Sequence, residues 1–219
     1  MMKTVLITAG ATREFFDPVR FISNPSSGKM GYAIAAAARE RGANVILVSA
    51  NVSLPVPEGV NLVPVTTGEE MLAAVRNAFP RCDVLIKTAA VCDFRPKHYE
   101  PHKRKKDGSG MVVEFEPVAD ILKTVAATKT PRQTVVGFAA ETQNIETYAR
   151  KKLVEKNLDL IAANLVGRGS VGAFGADDNT IFLLGNDGFR KVLGPAPKTE
   201  IGKLLIAEIE AFRAQKLLH

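Results

Sequence analysis

Apolar runs of strand length alternate with helix-period segments along most of this chain, and that alternation does most to limit the folds it can adopt. Residues 4–8 (Thr-Val-Leu-Ile-Thr) and 44–49 (Asn-Val-Ile-Leu-Val-Ser) are continuous apolar runs, as in strands covered on both faces of a parallel sheet. Between them, residues 28–41 are rich in alanine and stop at Gly42, as a helix does. The alternation continues through strand 61–65, helix 68–78, strand 84–88, strand 134–139, helix 145–157 and strand 158–164. Near the end, 180–184 and 190–192 flank Asn186-Asp187-Gly188, a turn sequence suited to a hairpin, before a closing helix over 198–215. The pattern predicts an α/β chain: a Rossmann-like three-layer αβα sandwich, its mostly parallel sheet carrying an antiparallel C-terminal β extension. No repeat, low-complexity tract or Pro/Gly-rich linker divides the sequence, so a single domain over 1–219 is expected.

Composition narrows the class. With 46% hydrophobic and 24% charged residues the chain is ordinary folded protein, which excludes disordered and collagen-like readings. The strongest apolar stretch, 44–57, is broken by Asn, Ser and Pro and falls short of the roughly 18 apolar residues a membrane span needs. Met-Met-Lys runs directly into the first strand with no signal-peptide pattern, so a soluble, cytoplasmic protein is expected. Cys82 and Cys92 form no CxxC pair and have no nearby His ligands, which argues against a disulfide framework and a structural zinc site.

Three segments carry candidate chemistry. The first joins strand one to helix one: Thr-Ala-Gly-Ala-Thr-Arg-Glu at 8–14, then 17–31, Asp-Pro-Val-Arg-Phe-Ile-Ser-Asn-Pro-Ser-Ser-Gly-Lys-Met-Gly. The GxGxxG spacing of dinucleotide loops is absent. A long loop instead delivers Arg13 and Arg20, and then Asn24, Ser26, Ser27, Gly28 and Lys29 at a helix start, where anions bind. The same serines would serve equally well as helix caps, and the sequence leaves both readings open.

The second segment follows strand 84–88: Lys-Thr-Ala-Ala-Val-Cys-Asp-Phe-Arg-Pro at 87–96. Ala89 and Ala90 would let a flat base or sugar approach the backbone, and Asp93 could accept from ribose hydroxyls or hold Mg²⁺, or simply cap a turn. Directly after it, Lys97, Lys103, Arg104, Lys105 and Lys106 face only Glu100, so most of the +6 net charge sits in one loop. That loop is either a solvated flap or a flexible basic lid near 97–110 over a triphosphate. A nucleic-acid patch is disfavoured, because only Tyr99 offers a stacking ring nearby. The third segment runs Val-Val-Gly-Phe-Ala-Ala-Glu-Thr from 135 and continues into a helix on which Lys152 and Lys156, four apart, share a face.

Together with Lys-Arg-Lys-Lys at 103–106 and Leu-Asp-Leu-Ile-Ala-Ala-Asn at 158–164, these blocks closely resemble the bacterial phosphopantothenoylcysteine synthetases, ligases of coenzyme A biosynthesis. The resemblance covers nearly the whole chain. It implies CTP-dependent ligation of 4′-phosphopantothenate and L-cysteine through an acyl-cytidylate, with Asn24, Lys103 and Arg20 as the catalytic set. The residues it implies for nucleotide binding are Gly10, Ser27, Gly28, Lys29, Ala89, Asp93, Lys103, Asp120, Ile121, Leu122, Lys123, Phe138, Lys152 and Lys156. Mg²⁺ would be held mainly by the triphosphate, and no protein ligand is assigned to it.

The family is often fused behind a flavin-dependent decarboxylase. No such half precedes Met1, so a stand-alone synthetase or an excised domain is expected, without flavin. The resemblance further implies a homodimer, joined through the late β segment, and association with a phosphopantothenoylcysteine decarboxylase; neither a nucleic acid nor a membrane is expected as partner. Phe94, Arg104 and the run Ala176-Asp177-Asp178 depart from the family's commoner residues without removing a proposed catalytic group. A nicotinamide-dependent oxidoreductase and a non-catalytic nucleotide-binding module are the rival readings.

Overall fold

The computed structural model describes residues 2–106, 108, 110–166 and 176–218. Strand β1 (Thr4–Gly10) leads through a small hairpin, β2 (Arg13–Phe15) and β3 (Phe21–Ser23), into α1 (Lys29–Glu40) and β4 (Asn44–Ala50). Then come β5 (Val60–Val65), α2 (Gly68–Ala78), β6 (Val84–Lys87), and a second small pair, β7 (Phe94–Pro96) and β8 (Phe115–Pro117). The chain continues through α3 (Ile121–Ala126), β9 (Thr134–Glu141), α4 (Ile145–Glu155), β10 (Leu160–Leu165), β11 (Asp178–Gly185), β12 (Arg190–Pro197) and α5 (Lys198–Lys216).

The main sheet has the order β12-β11-β10-β9-β6-β1-β4-β5. Neighbours from β5 to β10 pair in parallel, and β11 and β12 return antiparallel. Successive side chains on a strand point to opposite faces, and both faces are covered. Val5, Ile7 and Ala9 of β1 enter the core shared with α1 and α5, whereas Leu6 enters the one formed with α2, α3 and α4. That is why these strands read as unbroken apolar runs. The fold is a Rossmann-like αβα sandwich with an antiparallel C-terminal edge, as the alternation predicts.

Several elements extend beyond their expected limits. β1 reaches Gly10, β9 reaches Glu141 and β12 reaches Pro197. Backbone pairing continues past the last apolar residue, because the ladder bonds do not depend on side-chain type. The β2–β3 and β7–β8 pairs were not expected, since three residues are too few to show a period.

Buried charge is paired at the end of the sheet away from the strands' carboxyl edge. Asp159, 3% exposed at its side chain, meets Lys129 at 3.1 Å and Lys216 at 2.8 Å. Arg213 meets Asp83 at 3.0 Å, which ties the last turns of α5 beneath the sheet.

Candidate active site

In an open α/β sheet ligands bind beyond the carboxyl ends of the strands, where the strand order reverses. Here that point lies between β1 and β6, since the chain leaves β1 towards β4 on one side and reaches β6 on the other. A cavity of about 390 Å³ opens there, walled by the loop at 24–31, the turn at 87–93, and the ends of β9 and β10.

Hydrogen bonds between loops set its rim. Thr12, fully buried, donates its N–H to the Ala90 carbonyl at 3.2 Å and accepts from the Cys92 N–H on its Oγ1 at 3.0 Å. The Ser23 hydroxyl donates to the Thr12 carbonyl at 2.7 Å, and Asn24 Nδ2 reaches the Ala90 carbonyl at 3.4 Å. Asn51 Nδ2 bridges the carbonyls of Ala11 and Thr66 at 2.9 and 3.1 Å. The long loop after β1 is thereby fastened to the turn after β6, and Asn24 faces the cavity.

The structure removes the capping reading of the serines for α1. Helix α1 is entered at Gly28, whose φ is 77°, and no side chain caps it. Ser26, Ser27, Gly28 and Lys29 line the cavity instead. A side chain at Gly28 would place its Cβ 2.5 Å from Val52 Cγ2, so glycine lets the helix start approach that closely.

Of the other expected residues, Ala89, Asp93, Leu122, Phe138, Lys152 and Lys156 also line this cavity. Asp120 and Lys123 form the cap of α3, where the Asp120 carboxylate accepts from the Lys123 N–H at 3.0 Å. Asp120 also meets Lys156 at 2.7 Å. Burial pushes the Asp120 carboxyl up, but the Lys156 ammonium and the Lys123 N–H outweigh it and hold the group below its ordinary value. Ile121 is 2% exposed and belongs to the core beneath.

Beyond Asp120, Ile121 and Lys123, three more expected residues stand outside the lining. Gly10 packs on Ala50 and Val52. Arg20 pairs with Asp17 at 2.5 Å, donates to the Arg104 carbonyl at 3.1 Å, and borders a neighbouring cavity of about 300 Å³ with Arg104, Lys105 and Lys106. Lys103 is exposed in the basic loop, of which residues 107 and 109 lie outside the described residues. Among the described residues no cluster of three or more His, Cys, Asp or Glu could hold a metal, and Asp93 is the one carboxylate on the cavity wall. Both cysteines are free and buried, and burial raises both thiols, Cys82 to about 11.

A family model described as the DNA/pantothenate metabolism flavoprotein C-terminal domain matches residues 1–212. The chain belongs to that family. It is 49% identical over 214 residues to the coenzyme A biosynthesis bifunctional protein CoaBC of Bacillus subtilis (strain 168), covering 97% of this chain and 52% of that protein. To CoaBC of Escherichia coli (strain K12) it is 50% identical over 208 residues, 94% of this chain and 51% of that protein. The chain therefore spans about half the length of the curated relatives it matches. The crystal structure of a CoaBC C-terminal domain is 44% identical, with a TM-score of 0.83 over 97% of this chain and 96% of that one. A Cab2 mutant in complex with phosphopantothenate-cysteine shares the fold at 20% identity, with a TM-score of 0.84 over 99% and 88% of the two chains.

In this member of the flavoprotein C-terminal domain family, the cavity holds polar residues that the sequence did not single out: Lys87, Thr88, Asn164, Asn179 and Lys198. Lys198 opens α5, and burial together with nearby Lys29 pushes its ammonium down. Lys29 itself pairs at 2.6 Å with Asp177. Lys87 ends the apolar run Val-Leu-Ile-Lys of β6. Burial, aided by Lys156, pushes its pKa down to about 8 from 10.5. The unfolded chain therefore binds more protons between these values, and the Lys87 term in stability should rise as pH increases from about 8 to about 10.5. A Lys87→Met variant should lose that slope in pH-dependent denaturation.

Proposed function

We propose that this chain is a phosphopantothenate–cysteine ligase, with CTP as co-substrate. In the first step a carboxylate oxygen of 4′-phosphopantothenate attacks the α-phosphorus of CTP; the bond to the departing pyrophosphate breaks and an acyl-cytidylate forms. In the second, the cysteine amine attacks the acyl carbon, CMP leaves with the bonding electrons, and the amine proton passes to solvent. The observation that carries this reading is family membership at about half identity to CoaBC, joined to a cationic cavity at the strand-order reversal.

Each chemical need has a candidate on that wall. Negative charge develops on the acyl oxygen, and the neutral Asn24 amide can donate to it while accepting elsewhere. The triphosphate must be neutralised while a like-charged carboxylate approaches, a task for Lys29, Lys152, Lys156 and the uncapped helix start. Asp93 suits the ribose hydroxyls. With a single carboxylate on the wall among the described residues, Mg²⁺ would take most of its oxygen ligands from the phosphates. Arg20 and Lys103 stand outside the cavity, so their catalytic parts require the basic loop at 97–110 to close as a lid over one domain spanning 1–219.

The test is a coupled pyrophosphate assay with 4′-phosphopantothenate, cysteine and each nucleoside triphosphate in turn. Pyrophosphate release with CTP, dependent on phosphopantothenate, is expected. A protein stabilised by NADPH and not by CTP with Mg²⁺ would be an oxidoreductase instead. Lys103→Gln should weaken CTP binding and slow the first half-reaction, each by about tenfold. Unchanged kinetics in that variant would remove the lid.

The same reading makes the protein a cytoplasmic homodimer that works beside a phosphopantothenoylcysteine decarboxylase and carries no flavin itself. No helix among the described residues is long and apolar enough to cross a membrane. Support for self-association comes from exposed Phe21, Phe94, Phe115 and Val112 on and beside the small hairpins, whereas the edge strand β12 is interrupted by Pro195 and Pro197. Light scattering should give twice the chain mass.

A further inference from the structure

Five lysines line the cavity, and four are already engaged. Lys29 meets Asp177, Lys152 meets Glu141 at 2.6 Å, Lys156 meets Asp120, and Lys198 donates to the Ala176 carbonyl. Among the described residues the Lys87 ammonium has no hydrogen-bond or ion-pair partner. It stands at the carboxyl end of β6, in the turn that joins the two loops of the rim. Its electrostatic neighbours come from several elements: Lys152 from α4, Lys156 from the C-terminal cap of α4, Asp120 from the cap of α3, and Asp93 from the turn after β6. Burial without a partner and the neighbouring ammonium groups both disfavour a charged lysine in this cavity, and an anion would relieve both.

We propose that Lys87 is a phosphate-binding residue, its ammonium donating to a phosphate oxygen of the nucleotide alongside Lys152 and Lys156. This rests on the nucleotide reading of the cavity. Engagement by a phosphate favours the charged form, so binding takes up a proton wherever the free protein has lost it. With a free-state pKa of about 8, Lys87 is mostly charged near pH 7 and mostly neutral near pH 9. Affinity for a polyphosphate should therefore fall about tenfold across that interval relative to a Lys87→Arg variant, whose own pH profile carries the titration of the ligand.

The experiment is calorimetric titration of the whole chain with inorganic tripolyphosphate and, separately, with CTP and Mg²⁺, from about pH 7 to about pH 9. Wild type should lose about tenfold in affinity relative to Lys87→Arg and take up protons in two buffers of different ionisation heat. Lys87→Arg, charged throughout, should show only the ligand's own titration across the range, and Lys87→Met should bind more weakly at pH 7 without the additional slope. Melting curves of both variants confirm that they fold, and the arginine variant carries the test if the methionine variant does not.

Wild-type affinity and pH slope retained in Lys87→Met, or the full wild-type slope retained in Lys87→Arg, would overturn the Lys87 assignment while leaving CTP binding intact. Tripolyphosphate binding with the expected slope but no CTP binding would instead sink the nucleotide reading and keep the anion site. Failure of wild type to bind either ligand would remove both.

Discussion

Replacing Asn24 by alanine should lower kcat by about 10²–10³ while CTP affinity changes less than about threefold. The side chain faces the cavity, and its only hydrogen bond among the described residues, to the Ala90 carbonyl, is long at 3.4 Å. Little folding energy is therefore at stake. On the proposed ligase reading, what is lost is a neutral donor where the acyl oxygen gains charge, an interaction stronger in the transition state than in the ground state. Steady-state kinetics with a separate CTP titration check this. A parallel loss of CTP affinity would make Asn24 a nucleotide ligand instead.

Gly10→Ala should destabilise the fold by about 3–5 kcal/mol, lowering Tm by about 10 °C in a chain of this size. Gly10 has a φ of 83°, and a Cβ there would lie 2.0 Å from the Ala50 carbonyl oxygen. That oxygen belongs to the paired β1–β4 ladder and has no room to yield. The Gly10 carbonyl also accepts from the Ala90 N–H at 2.8 Å, so a shift of Gly10 displaces the turn carrying Ala89 and Asp93. Weaker CTP binding should accompany the lower Tm. A variant melting within two degrees or so of wild type would show that the backbone accommodates the methyl group. Gly10 thus shapes the site from beneath, outside the cavity lining.

The parallel sheet was legible because both of its faces are buried, leaving strands such as 4–8 and 44–49 without a polar residue to break the run. The antiparallel edge was legible through one Asp-Gly step, where Gly188 now sits at φ 92°. The small β pairs were not, because three-residue strands are too short to show a repeating apolar pattern. In the first, the Asp17 carboxylate accepts from the N–H groups of Val19 and Arg20, both at 2.8 Å.

At the site, Ser26 and Ser27 were ambiguous because capping and anion binding select the same residues; the left-handed Gly28 at the helix entry removes the capping reading. Lys152 and Lys156 were legible as a pair from their spacing. Their partners, Glu141 and Asp120, come from other elements and could not be read from it. Lys87 gave the weakest signal, since a lysine ending an apolar strand looks like an ordinary exit to solvent until the surrounding elements enclose it.

The most direct test of the ligase reading omits cysteine. Wild-type protein mixed with CTP, Mg²⁺ and 4′-phosphopantothenate in a rapid-quench experiment should release about one pyrophosphate per active site and retain a bound acyl-cytidylate detectable by mass spectrometry. No pyrophosphate, or pyrophosphate released equally without phosphopantothenate, would contradict it.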